Sequence, residues 1–230
     1  MKLADLATLN VERAARRAVA VVTDVASGEQ RLVKAADVDR DPLAAVIKER
    51  FRSGKSGMHE EEGERFFLTI HVPPPRLVAI GAVHISQALT TLARLLNFDM
   101  TIVDPRTAFA TPERFPDVRL IAEWPDVALP PLNVDRYTAF VALTHDPKVD
   151  DPALLHAFGR ECFYIGALGS RKTHARRLER LKGQGASDAD LARIHAPIGI
   201  DVGAVSPAEI ALSIMAEITA TLRLEGGKRR

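Results

Sequence analysis

Cysteine is almost missing from this chain. Cys162 is the single one among 230 residues, so no internal disulfide can form, and a reducing, cytoplasmic setting is expected. Charge of one sign is missing too: 31 Lys+Arg stand against 30 Asp+Glu, a net of +1, which gives no footing to nucleic-acid binding by overall charge. No apolar run approaches the roughly 18 residues of a membrane span, and the opening Met1-Lys-Leu-Ala-Asp-Leu6 lacks a signal-peptide core. The 7 histidines show no metal-ligand spacing, so no metal site is expected. No nucleophile–base pair stands out either, so no catalytic residue is assigned. Cys162 lies in an apolar stretch and reads as a small core residue.

What is present suffices for a packed interior, since 47% of the residues are hydrophobic. The length suits one large domain, or a main domain with a small appendage. Residues 1–72 read as a small α+β region. Val19–Val25, a turn at Ser27-Gly28 and Gln30–Val33 have the pattern of a β-hairpin. Asp41-Pro42 suits an N-cap and first-turn proline, with Leu43, Val46, Ile47, Arg50 and Phe51 on one side of the helix that follows. Residues 54–63 read as a charged loop and Phe66–Val72 as a strand. Gly54-Lys55-Ser56 is not a phosphate-binding loop, because Glu49 occupies the upstream glycine position and the segment follows a helix. Pro73-Pro74-Pro75 makes a stiff boundary.

Residues 76–225 read as an α/β domain, a Rossmann-like parallel sheet with helices on both faces. Its opening unit is an apolar strand ending at Gly81, a helix with Ile85, Leu89, Leu92 and Leu96 at helical spacing, and a second strand closed by Asp104. The dinucleotide fingerprint wants glycine at the first, third and sixth positions, where this chain has Gly81, Val83 and Ser86. Further strands are expected at Arg119–Trp124, Thr138–Thr144 and Cys162–Ile165, and helices at Ser170–Lys182 and Ser187–Ile194. Ser206-Pro-Ala-Glu209 is a capping box that opens a last helix running to Leu224.

In such a sheet, ligands bind at the carboxyl ends of the strands. Four segments reach that edge: Gly81 to His84, Asp104 to Arg106, Thr144-His145-Asp146, and Gly166 through Gly169, Ser170, Arg171 and Lys172. Asp104 lies 23 residues beyond Gly81, which fits an acid on a ribose hydroxyl or an acid that caps its own loop with Arg106 as partner. His145 fits a proton donor, a ligand contact or a hydrogen-bonded core histidine. Arg171 and Lys172 fall in a first helical turn, where cations oppose the helix dipole. They suit an anion such as a phosphate held at the helix start, or else belong with Arg176, Arg177 and Arg180 to a solvated basic face. The glycines of Pro197–Gly203 permit close approach of a ligand or partner chain.

Val103-Asp-Pro-Arg106, Thr144-His-Asp146, Tyr164-Ile-Gly-Ala-Leu-Gly-Ser-Arg171, Ala196-Pro-Ile-Gly-Ile-Asp-Val-Gly203 and Ser206–Glu217, in that order, closely resemble the XdhC/CoxI family. These are accessory proteins of xanthine dehydrogenase and carbon monoxide dehydrogenase. The resemblance covers about 76–222 and implies a chaperone, not an enzyme. Such a protein binds molybdenum cofactor, as molybdopterin or its cytosine dinucleotide form, while its terminal sulfur is installed, and delivers it to an apo-molybdoenzyme. Implied partners are a molybdenum hydroxylase, a cysteine desulfurase and a second copy in a homodimer. On that reading Arg171 and Lys172 meet the cofactor phosphate, and His84, His145 and Asp146 the pterin or metal end. Two departures stand out: Gly81-Ala-Val-His84 replaces the family's Gly-Ala-Gly-His, and residues 1–75 lack the family's glycine-rich segment with a cysteine. The rival readings are an NAD(P)-dependent oxidoreductase, supported by Gly81 and Asp104, and an assembly scaffold without ligand.

Overall fold

The computed structural model describes residues 2–224. The chain divides into two compact units, the first ending at Pro73 and the second beginning at Pro74. In the first, α1 (Leu3–Ala14) precedes an antiparallel sheet built from β1 (Val19–Asp24), β2 (Gln30–Lys34), β3 (Gly57–Glu61) and β4 (Glu64–His71), in the order β2-β1-β4-β3. A 3₁₀ turn (Ala35–Arg40) and α2 (Ala44–Ser53) put Val38, Leu43 and Ile47 against Ala20, Val22, Leu68 and Ile70 of the sheet.

Two expectations shift here. The charged stretch read as a loop contains β3, turned into β4 by Glu62-Gly63 with φ of 52° and 82°. Those left-handed angles match the twist of a two-residue hairpin turn. The strand is a sheet edge, where charged residues are the norm and apolar alternation is weak. Helix α2 starts later than Asp41-Pro42 suggested. Asp41 is held by a two-pronged contact from Arg31, and it accepts the amide of Leu43, the observed cap residue.

The second unit begins with β5 (Arg76–Ile80), α3 (His84–Leu95), β6 (Asp99–Val103), β7 (Arg119–Ile121) and α4 (Pro125–Ala128). It continues with β8 (Thr138–Ala142), α5 (Pro147–Phe158), β9 (Tyr164–Ala167), α6 (Arg171–Gly183), α7 (Asp188–Leu191), β10 (Ile194–His195) and α8 (Pro207–Arg223). All six strands are parallel, in the order β10-β9-β8-β5-β6-β7. Both faces of the sheet are buried, which is why its strands read as unbroken apolar runs. Leu77 and Ala79 point to the side covered by α3 and α8; Val78 and Ile80 point to the side covered by α4 to α7. This is the expected Rossmann-like fold, and strand order reverses between β5 and β8.

Some boundaries differ. The third strand stops at Ile121, because Trp124 and Pro125 already open α4. The stretch read as a helix from Ser187 to Ile194 is a single turn that ends at Leu191, and Ile194 instead joins the sheet as β10. The expected strand at Cys162 begins at Tyr164. Ser206 and Glu209 form the expected capping box. Cys162 is buried, and desolvation pushes its thiol up to about 11, as suits a core residue.

Candidate functional site at the strand ends

The crevice at the reversal point is built on Gly81. Its φ of +116° is a conformation that side chains disfavour. A Cβ there would lie 2.9 Å from Thr144 Cγ2 and 3.3 Å from Thr144 N, so the β5 and β8 ends touch through it. Ser86, fully buried at the sixth fingerprint position, donates its hydroxyl to the Gly81 carbonyl at 2.5 Å. Val83 sits at the N-cap of α3 in ordinary extended geometry, so no glycine is required there for backbone reasons.

Asp104 has no solvent exposure. Its Oδ2 accepts the Ala82 amide (2.7 Å) and Arg106 Nη2 (2.7 Å); its Oδ1 accepts Arg106 Nε and N, both at 2.9 Å. Burial alone would raise its pKa, but the Arg106 guanidinium and the backbone amides outweigh that and hold it below the usual carboxylate range. With its acceptor positions filled, the carboxylate suits the second of its two expected roles: it fastens the β6 end to the glycine turn. Arg106 lies half-buried, with Phe109 beneath its guanidinium at 4.8 Å.

At the β8 end, His145 adopts φ +63°. Its amide donates to Asp150 Oδ2 (3.1 Å), and the Thr144 hydroxyl donates to Asp150 Oδ1 (2.7 Å). The His145 imidazole is exposed and has no hydrogen-bond partner among the described residues. Asp146, expected to touch ligand, caps α5 by accepting the Lys148 amide at 2.9 Å. The charges of Asp146 and Asp150 reinforce Arg106, which sets the β6 and β8 ends in one electrostatic field.

The β9 end completes the set. A Cβ on Gly169 would lie 3.8 Å from His145 Nδ1, and Ser170 caps α6 by accepting the Thr173 amide at 3.2 Å. Arg171 and Lys172 follow, exposed and without an ion pair among the described residues. His84, first residue of α3, is likewise exposed and unpartnered there. Gly166 plays a different part: it is buried in β9, where a side chain would strike Ile198.

Arg177 and Arg180 depart from the solvated basic face. Arg177 is only 2% exposed, and Arg180 grips the buried Asp151 at 2.7 and 3.0 Å. Gly199 is approached by helix α8 of its own chain, at Ser213 and Ile214, rather than by an outside ligand. A second buried polar cluster went unread in the sequence. Glu217 accepts the Tyr164 hydroxyl (2.7 Å) and the Gly199 amide (2.7 Å), and His195 lies 3.3 Å away. Among the described residues no three His, Cys, Asp or Glu side chains gather as a metal site, and no helix is long and apolar enough to cross a membrane.

A family model for the XdhC Rossmann domain matches residues 77–218. The Escherichia coli (strain K12) protein YqeB is 36% identical over 154 residues, which cover 66% of this chain and 28% of that protein. A Bacillus subtilis (strain 168) protein described as a probable xanthine dehydrogenase subunit is 31% identical over 71% of this chain and 48% of its own length. The molybdenum cofactor insertion chaperone PaoD of Escherichia coli (strain K12) is 33% identical over 66% of this chain and 41% of its own. The chain thus spans less than half the length of these relatives. A crystal structure described as a xanthine dehydrogenase from Bacillus halodurans shares the fold, with a TM-score of 0.69 at 23% identity over 96% of this chain and 64% of that one. The matched span runs from β5 into α8 and holds every strand end of the crevice, and through this Rossmann domain the chain belongs to the XdhC family.

Proposed function

We propose that the crevice binds molybdenum cofactor and that the chain is an accessory protein for a xanthine dehydrogenase or carbon monoxide dehydrogenase type of enzyme. The observation that carries this is the set of unpartnered polar side chains around one crevice: His84, His145, Arg171 and Lys172. The donor chemistry fits the group. A phosphorylated pterin presents an anion at one end, and the start of α6 offers free backbone amides beside two cations. Arg171, Lys172 and Ser170 would hold the phosphate, with Gly169 allowing close approach. His84, His145 and the guanidinium of Arg106 would face the remainder. Asp104 and Asp146 would hold these groups in place through Arg106 and the α5 cap. The name of PaoD supports an insertion role, and that of the Bacillus subtilis relative supports an association with a xanthine dehydrogenase.

When bound, the cofactor supplies the metal centre that a recipient enzyme uses. The chain's own residues bind it, orient it and shield it. Sulfuration while bound, a cysteine desulfurase partner, a homodimer and a cytoplasmic setting complete the proposal. An NAD(P)-dependent oxidoreductase draws less support, because Asp104 has no free acceptor for a ribose hydroxyl.

The test is to mix the protein with cofactor freshly released from a donor enzyme and run anaerobic gel filtration. Pterin and molybdenum are expected to co-elute near one equivalent per chain. Absence of both from the protein peak overturns the reading; if an apo-molybdoenzyme is still captured, the chain is an assembly scaffold.

A further inference from the structure

Two local irregularities meet behind this crevice. The first is Arg177 of α6, a guanidinium only 2% exposed whose Nε and Nη1 have no hydrogen-bond partner. Its Nη2 donates to the Leu168 carbonyl at 2.8 Å, two residues before the α6 cap, and lies 4.0 Å from Asp150 Oδ2. The second is His145, a non-glycine residue in the left-handed region, whose amide is held by that same Asp150 oxygen.

Neither is explained by stability. A buried ion pair at 4.0 Å with unfilled donors is a poor stabiliser, and an apolar side chain of similar volume is commonly as good or better. Burial pulls Arg177 down and Asp150 up from their ordinary pKa values, so both charges bear a desolvation penalty. Irregularities of this kind persist where the surrounding structure enforces them, and they gather at functional sites. Here a single side chain holds the Leu168 carbonyl of one crevice loop and faces the Asp150 carboxylate that holds the other.

We infer that Arg177 is a positioning residue: through Asp150 it fixes the Thr144–His145 loop, through the Leu168 carbonyl it fixes the start of α6, and so it sets His145 against Arg171 and Lys172 for one ligand. The inference rests on the proposed cofactor reading for the identity of that ligand, but the geometry it claims exists in the free protein. Arg177 touches neither cofactor nor solvent; it acts through its neighbours. Arg180, one turn on, is the internal comparison. It also pairs with a buried aspartate of α5, Asp151, yet contacts neither loop.

The experiment compares amide hydrogen exchange in the ligand-free wild type, Arg177→Met, Arg177→Lys and Arg180→Met. Arg177→Met should speed exchange of the Thr144 and His145 amides about tenfold relative to the rest of the sheet, as a local opening does. Arg177→Lys should restore part of the protection. Arg180→Met should lower global stability without singling out those amides. Cofactor affinity should fall by about 10-fold to 100-fold in Arg177→Met, the usual effect of removing a support behind a ligand site, and hold in Arg180→Met. Should Arg177→Met fail to fold, Arg177→Gln takes its place, because it removes the charge that faces Asp150 while keeping a polar head. Unchanged exchange at 144–145 in every folded Arg177 variant overturns the inference. A wild type that retains no cofactor overturns the proposed function instead, and the exchange data still decide this one.

Discussion

The amide of Ala82 donates a 2.7 Å hydrogen bond to Asp104 across the gap between the first two strands of the main sheet, and the carboxylate that receives it sees no solvent. One acid thereby fixes the glycine turn, the β6 end and Arg106. Asp104→Ala leaves the Ala82 amide buried without an acceptor and Arg106 without its partner. The expected loss is about 3 kcal/mol of folding stability, the range for a buried charge-assisted contact. Urea unfolding at neutral pH measures it; a loss within experimental error would mean that the turn does not depend on this bond.

Glu217 makes a prediction about acid. Burial opposes its ionisation, but His195, Tyr164 and the Gly199 amide outweigh burial and push its carboxyl down to about 2. A folded-state value below the unfolded one gives stability that is present above about pH 4.3 and lost as pH falls toward 2. The shift corresponds to about 3 kcal/mol. Glu217→Gln should therefore be less stable than wild type at pH 7, and the gap should narrow below about pH 4 and all but close near pH 2, followed by thermal melts across that range. A gap that stays constant with pH would place the effect in shape rather than charge.

Two glycines of one loop separate packing from backbone freedom. Gly199 has φ +90°, and a Cβ there would overlap Ser213 and lie 3.1 Å from the Ile214 amide; Gly203 has φ +69° with open space around it. Gly203→Ala should cost about 1 kcal/mol, from the left-handed conformation alone. Gly199→Ala adds overpacking against α8 and should cost about 3 kcal/mol. Equal losses in melting temperature would show that the loop gives way and that α8 does not pin it.

The parts of this molecule legible in its sequence are those set by local pattern. Leu77–Ile80, Ile102-Val103 and Ala139–Ala142 are apolar because both sheet faces are covered, and Gly81 marks where backbone must pass Thr144. Ser170, Ser206 and Glu209 declare caps through spacing alone. Helix α5 went unread because Pro152 interrupts it and Asp150 and Asp151 look like solvated acids, although both are buried. Arg177 hid in a run of cations for the same reason. Its neighbours Leu168 and Asp150 come from other elements, and no periodicity along α6 announces them. Tyr164, His195 and Glu217 are likewise joined only by the sheet and α8.

The start of α6 gives the sharpest separation of fold from function. Arg171 and Lys172 are exposed cations in a first helical turn, where the dipole disfavours them. Replacing both with glutamate should stabilise the helix, by about 0.3–1 kcal/mol for each position. The same change places two negative charges where the cofactor phosphate is proposed to sit. Affinity for released cofactor should fall by at least about 100-fold, equivalent to about 3 kcal/mol. Melting temperature and cofactor retention are therefore expected to move in opposite directions in one variant. A merely solvated basic face gives the stabilisation without the loss of retention, so retention at the wild-type level would remove the anion site while leaving the fold as described.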